Sequence, residues 1–136
     1  IALPIFNMKK KNINAIAIIP ARGGSKRLKR KNIYPVFGKP MIFWSINAAK
    51  NSKYIKNVWV TTEDKEIKKI AMKYGSYVHN RDPKLSGDNI LKMDAIRDCF
   101  SAVNSDADIV VSLQANSPEI NSNILDNAIE VFIKHN

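Results

Sequence analysis

The chain has 136 residues, 45% of them hydrophobic and 25% charged, which is the composition of one globular domain and argues against a disordered chain. One cysteine, Cys99, excludes an internal disulfide and a Cys-rich zinc module, and His79 and His135 are too few for a His-based metal site. The formal net charge is +10, from 22 Lys and Arg against 12 Asp and Glu, and no apolar run approaches the roughly 20 residues of a membrane-spanning helix.

The charge is uneven along the chain. Residues 1–62 hold 13 basic residues and no acid; from Glu63 onward there are 9 basic and 12 acidic residues. Six of the ten residues from Arg22 to Lys31 are basic. Such a concentration points to an anionic partner: nucleotide phosphates, nucleic acid or a membrane surface.

Residues 1–14 read as an N-terminal extension. Ile1–Phe6 is too short for a signal-peptide core, and Met8 before three lysines resembles a start. With no such signal and a lone cysteine, the expected compartment is a reducing cytoplasm. From Ala15 to Asn136 the pattern is that of one α/β domain. AIAIIP, residues 15–20, is an apolar run of strand length that fits a parallel strand buried on both faces. Residues 22–32 form a basic, glycine-containing loop. Pro40 opens a helix whose apolar face runs from Met41 to Ala49. VWVTT at 58–62 is a second strand, Asp64–Tyr74 a second helix ended by Gly75, and Ser76–Asn80 a third strand. Arg81–Asn89 is a loop. Leu91–Val103 is a third helix with Cys99 on its inner face, and Ile109–Leu113 a fourth strand. A last helix is capped by Asn121 or Ser122. Strands alternating with helices predict a parallel sheet covered on both faces, with right-handed crossovers.

In such a sheet, ligands bind at the carboxyl ends of the strands. The segment leaving strand one is Ala21-Arg22-Gly23-Gly24-Ser25-Lys26-Arg27-Leu28-Lys29-Arg30-Lys31-Asn32. Gly23 and Gly24 let backbone amides approach an anion, and Arg22, Lys26 and Lys31 supply charge to phosphate oxygens. Arg27, Lys29 and Arg30 read as solvated surface. Two phosphate motifs are absent: GxGxxG lacks its third glycine, and GxxxxGK[ST] fails because Ser25 precedes Lys26. Glu63 and Asp64 read as caps of the second helix. Asp106 and Asp108 precede strand four and so fall at the wrong end of the sheet for the site.

IIPARGGSKRLKRKNI, residues 18–33, closely resembles the opening motif of the acylneuraminate cytidylyltransferases (CMP-sialic acid synthetases). The register continues through FGKPMI at 37–42, VTTED at 60–64, Arg81…Leu85…Asp88 and LQANSP at 113–118. The resemblance implies a Rossmann-like three-layer α/β/α fold with a mostly parallel sheet, of the nucleotide-diphospho-sugar transferase type, with that family's C-terminal part missing after Asn136. It implies transfer of CMP from CTP to a nine-carbon sugar acid with release of pyrophosphate and a requirement for Mg²⁺. Metal ligands are expected beyond Asn136. Carried over by position, Arg22 and Lys31 are the catalytic cations. Ala21, Arg22, Gly23, Gly24, Ser25, Lys26, Lys31, Asn32 and Arg81 form the nucleotide site, Asp88 orders its loop, and Gln114 and Ser117 face the acceptor. A homodimer is the implied assembly.

The chain departs from the family pattern at Ala115 and Asn116, at Glu119-Ile120 where a Leu-Arg pair is usual, and at Asp82-Pro83. These departures leave open a Kdo-type or guanylyl-type transferase, a nucleotide-binding fragment without turnover, and a basic nucleic-acid-binding module.

Overall fold

The computed structural model describes residues 2–4 (backbone), 12–24, 28 and 30–136. Among the described residues, seven strands and four α-helices follow one another as β1 (Ala2–Pro4), β2 (Ala15–Pro20), β3 (Pro35–Val36), β4 (Lys39–Pro40), α1 (Met41–Lys50), β5 (Ile55–Thr62), α2 (Lys65–Lys73), β6 (Tyr77–Asn80), α3 (Lys92–Val103), β7 (Ile109–Ser112) and α4 (Ser122–Lys134). Short 3-10 turns at Lys31–Ile33 and Pro83–Leu85 lie in the loops after β2 and β6.

The main sheet has the order β1-β7-β2-β5-β6. β2 pairs in parallel with both β5 and β7, and β6 extends the sheet in parallel beyond β5. Ala2–Pro4, which the sequence reading assigned to an extension, adds an antiparallel edge strand to β7. α1 and α2 carry the chain outward from β2 to β6, and α3 then returns it to the far side of β2. The strand order therefore reverses between β2 and β7, and the carboxyl ends of those two strands flank a crevice.

The period-2 alternation of each strand divides the core. Ala15, Ala17 and Ile19 of β2, Val58 and Val60 of β5, and Ile109 and Val111 of β7 pack against Ile42 and Ile46 of α1, Ile67 of α2, and Leu125 and Ile129 of α4. Ile16 and Ile18 of β2 and Val110 of β7 face the other way, onto Ile96 and Cys99 of α3. Three helices cover one face and a single helix the other, which gives the three α/β/α layers. Burial of Cys99 raises its thiol pKa to about 12, in keeping with a core residue. On the α3 side the Trp59 and Tyr77 rings stack at 5.1 Å. Among the described residues no helix is long and apolar enough to cross a membrane.

Helix boundaries follow local chemistry. Asp64 caps α2 by accepting from the Glu66 and Ile67 amides, and Gly75 follows that helix with φ +85°. Asn121, rather than Ser122, caps α4 by accepting from the Ile124 amide at 3.0 Å.

The sequence reading contained no hairpin before α1. β3 and β4 pair with a two-residue turn at Phe37-Gly38, whose φ values are +51° and +77°. Both signs belong to a type I′ turn, where Asn-Gly is the common pair. Phe37 takes the left-handed position while 79% exposed, with its ring 6.0 Å from that of Trp44. Trp44 in turn donates its indole N–H to the Val36 carbonyl at 3.0 Å, fastening α1 to the hairpin.

Gly38→Ala forces a β-carbon into the left-handed region and is expected to lower unfolding free energy by about 1–2 kcal/mol, read by urea denaturation.

Candidate functional site

A cavity of about 390 Å³ opens at the carboxyl end of the sheet, at the reversal of strand order. Its walls come from three segments. Arg22, Lys31 and Asn32 belong to the loop after β2; Arg81, Leu85 and Asp88 to the loop after β6; Gln114, Ala115 and Asn116 to the turn after β7. Lys92 at the start of α3 adds another cation, one the sequence reading did not assign to the site.

Arg81 is the most constrained of these side chains. It is only 6% exposed, and its guanidinium donates to the Thr61 carbonyl at 2.8 Å and the Leu85 carbonyl at 3.4 Å. Its Nε is buried with no hydrogen-bond partner among the described residues. The nearby acids Asp82 and Asp88 both turn elsewhere. Asp82 caps the 3-10 turn at Pro83 by accepting from the Lys84 amide, and Asp88 pairs with Arg22. Burial pushes the Arg81 pKa below its ordinary value, partly offset by the field of Glu63. Among the described residues no carboxylate lies within ion-pair distance of Arg81 or Lys31. A buried cation held only by neutral carbonyls lacks the counter-charge that its desolvation demands.

The loop after β2 is held by residues at the same, carboxyl end of the sheet. Asn32 is buried and donates its side-chain amide to the Arg22 carbonyl at 3.0 Å. Glu63 Oε1 accepts from the Gly23 amide at 2.7 Å, and its Oε2 accepts from the Ser86 hydroxyl at 3.0 Å. Of the two acids expected to cap α2, only Asp64 does so. Asp64 also takes a bidentate ion pair from Arg30, which reaches Glu66 as well at 2.6 Å. Arg30 is thus bound in a network rather than solvated. A β-carbon on Gly23 would lie 2.4 Å from Asp64 Oδ2, whereas one on Gly24 meets nothing within 4 Å. Gly23 is required by this close approach.

The remaining expected residues divide. Ala21 is fully buried and extends the β2–β5 ladder by donating to the Thr61 carbonyl at 3.0 Å, so its side chain belongs to the core. Ser25, Lys26, Arg27 and Lys29 lie outside the described residues. Gln114 borders the cavity and also a more apolar groove of about 780 Å³ between β7 and α4; Ser117 lines that groove. At the opposite end of the sheet, Asp108 accepts from the Asn14 amide at 2.9 Å and Asp106 from its side chain at 3.3 Å, as their place before β7 implied. His79 Nδ1 lies 2.9 Å from the Thr61 hydroxyl and is structural. Among the described residues there is no cluster of three or more His, Cys, Asp or Glu side chains suited to a metal ion.

The sequence profile of the cytidylyltransferase family matches residues 16–136. N-acylneuraminate cytidylyltransferase A of Danio rerio is 39% identical over 126 residues, which are 93% of this chain and 29% of that protein. A pseudaminic acid cytidylyltransferase of Campylobacter jejuni is 40% identical over 124 residues, 88% of this chain and 53% of that one. Among solved structures, a CMP:2-keto-3-deoxy-manno-octonic acid synthetase complexed with CTP superposes with TM-score 0.75 at 26% identity, covering 89% of this chain and 48% of that one. The chain thus spans about half, or less, of the length of these relatives.

Two outcomes follow from the geometry of the loop. Gly23→Ala must displace an Asp64 that Arg30 and α2 hold in place, and is expected to cost about 1–3 kcal/mol, while Gly24→Ala stays within about 0.5 kcal/mol of the parent in the same urea titration. The Arg30 hydrogen bonds lower the Asp64 carboxyl from its ordinary 3.8 to about 2. A depressed folded-state pKa contributes stability that is complete above the unfolded value and is lost as pH falls through the folded one. Stability is therefore expected to decline between pH 4 and pH 2, with a shallower decline for Asp64→Asn when unfolding is followed at a series of pH values.

Proposed function

Since the chain belongs to the cytidylyltransferase family, we propose that the cavity at the strand reversal receives the triphosphate of CTP and that the protein transfers CMP to a sialic-acid-like sugar acid. The observation that carries this reading is Arg81: a buried guanidinium that lines the cavity without a carboxylate partner calls for an anion, and Lys31 and Arg22 line the same cavity. The acceptor class comes from the relatives, which are named for N-acylneuraminate and pseudaminic acid.

In the proposed reaction the sugar hydroxyl attacks the α-phosphorus of CTP. A new P–O bond forms, the bond to the bridging oxygen breaks, the hydroxyl proton is lost to solvent, and pyrophosphate departs with the charge that accumulates on it. The protein's part is electrostatic and positional. Arg22 and Lys31 are the proposed catalytic cations, offsetting charge on the departing phosphates. Arg81 holds the nucleotide from the β6 side, with Gly23, Gly24, Ser25, Lys26 and Asn32 along the loop. Gln114, at the border between the cavity and the groove, and Ser117 in the groove address the acceptor.

Mg²⁺ is the proposed companion ion and would arrive on the nucleotide's phosphates, partly neutralising them. The carboxylates nearest the cavity, Glu63 and Asp88, already hold the Gly23 amide, Ser86 and Arg22, and no protein ligand for the ion is assigned. A cytoplasmic homodimer is the assembly proposed with this activity.

Calorimetric titration of CTP, GTP, ATP and UTP with Mg²⁺ is expected to show preference for CTP. A charged hydrogen bond contributes about 1.5–3 kcal/mol, so Lys31→Ala should weaken binding by about tenfold or more. An equal response to all four nucleotides, with tighter and steeply salt-dependent binding of an RNA oligonucleotide, would instead identify a nucleic-acid-binding module.

A further inference from the structure

We infer that Glu63 is the positioning residue of this cavity, fixing the glycine loop and the β6–α3 loop in the arrangement that receives a polyphosphate. The inference rests on the nucleotide reading above. Glu63 stands immediately after β5, and each of its carboxylate oxygens is taken by a different wall: Oε1 by the Gly23 amide at 2.7 Å, Oε2 by the Ser86 hydroxyl at 3.0 Å. Asp64, its neighbour, performs the helix-capping task that both acids could have served, so Glu63 is left to join the loops. Its field is also the leading support for the Arg81 charge against burial. One side chain thus contacts both loops directly and the Arg81 charge electrostatically.

The Arg22–Asp88 pair also joins these loops, but both of its side chains are more than a third exposed, and a phosphate can compete for the guanidinium. The Glu63 contact to Gly23 is part-buried and uses a backbone donor, so it can persist when ligand enters.

The sign of the effect separates positioning from simple charge. A carboxylate beside a polyphosphate site repels the ligand, so if charge alone mattered, removing Glu63 would tighten binding. Positioning requires the opposite. Glutamine retains both contacts: its carbonyl accepts from Gly23 and its NH₂ donates to the Ser86 oxygen.

The test compares wild type, Glu63→Ala, Glu63→Gln and Ser86→Ala by calorimetry with CTP·Mg²⁺ and with inorganic tripolyphosphate, and by amide hydrogen exchange without ligand. Glu63→Ala is expected to weaken both probes about tenfold or more, with Glu63→Gln within about threefold of wild type and Ser86→Ala between them. In exchange, Glu63→Ala should deprotect Gly23 while β2 stays protected. Binding by Glu63→Ala that equals or exceeds wild type, or a Glu63→Gln as weak as the alanine variant, overturns the inference. If Glu63→Ala does not fold, the contrast between Glu63→Gln and Ser86→Ala decides in the same way: near-parental binding by the first with weaker binding by the second supports the inference, and any other pattern overturns it. If wild type binds neither probe, the nucleotide reading fails. The tie is then judged by exchange, where unchanged Gly23 protection in Glu63→Ala overturns it.

Discussion

The first 62 residues contain thirteen cations and no acid, so the loop after β2 cannot be neutralised by its own segment. Every carboxylate that holds it must come from later in the chain. The fold delivers them at two places. Glu63 and Asp64 arrive at the carboxyl end of β5, next to β2 in the sheet, with Glu66 in the first turn of α2; Asp88 arrives on the loop after β6. The parallel order of β2, β5 and β6 puts all these acids at one end of the sheet, where the basic loop begins. A different strand order would leave that loop as a run of mutually repelling charge. The sheet topology and the charge distribution along the chain therefore depend on each other.

Not every cation is neutralised, and the selection is informative. Arg30 is bound by two acids and Arg22 by one, while Lys31 and Arg81 face the cavity with no carboxylate in ion-pair reach among the described residues. Arg30, bound by two acids, is absent from the cavity wall, whereas Arg22, Lys31 and Arg81 all line it. At Gly23 the amide donates to Glu63, and the missing side chain leaves space for Asp64.

Much of this could be read from the sequence, for reasons specific to each segment. AIAIIP at 15–20 could only be a strand buried on both faces, and it is the centre of the sheet. Asp64 followed by an amphipathic run and Gly75 marked α2 at both ends. The Phe37-Gly38 turn was missed because Phe is an uncommon first residue in a type I′ turn, and two-residue strands have no alternation to detect. The antiparallel pairing of Ala2–Pro4 left no local signal, since its partner lies more than a hundred residues away. In the site, the basic cluster marked the loop but could not rank its members. Arg30 and Lys31 are adjacent and chemically alike, and only the left-handed turn at Arg30 sends one to Asp64 and the other to the cavity. Glu63 was hidden by the same limitation, as it and Asp64 are equally good helix caps on paper.

The contacts that fasten the cavity are among the least local in the chain. Gly23 and Glu63 are 40 residues apart, and Arg22 and Asp88 are 66 apart. Closing such long loops costs entropy before any contact repays it, and structures built on distant contacts form late. The β2–β5 ladder and α1 can assemble with Glu63 and Asp64 at the basic loop before Asp88 and Ser86 are in place. The cavity takes shape only when β6 docks and brings Asp88 and Ser86 into place. During synthesis this means that a ribosome-bound chain whose acids from Glu63 onward have not yet emerged exposes an intensely cationic, unfastened segment beside the anionic ribosomal RNA. The order in which charges leave the exit tunnel, positive first and negative second, thereby sets a window of nonspecific attraction that ends when the later half of the chain folds.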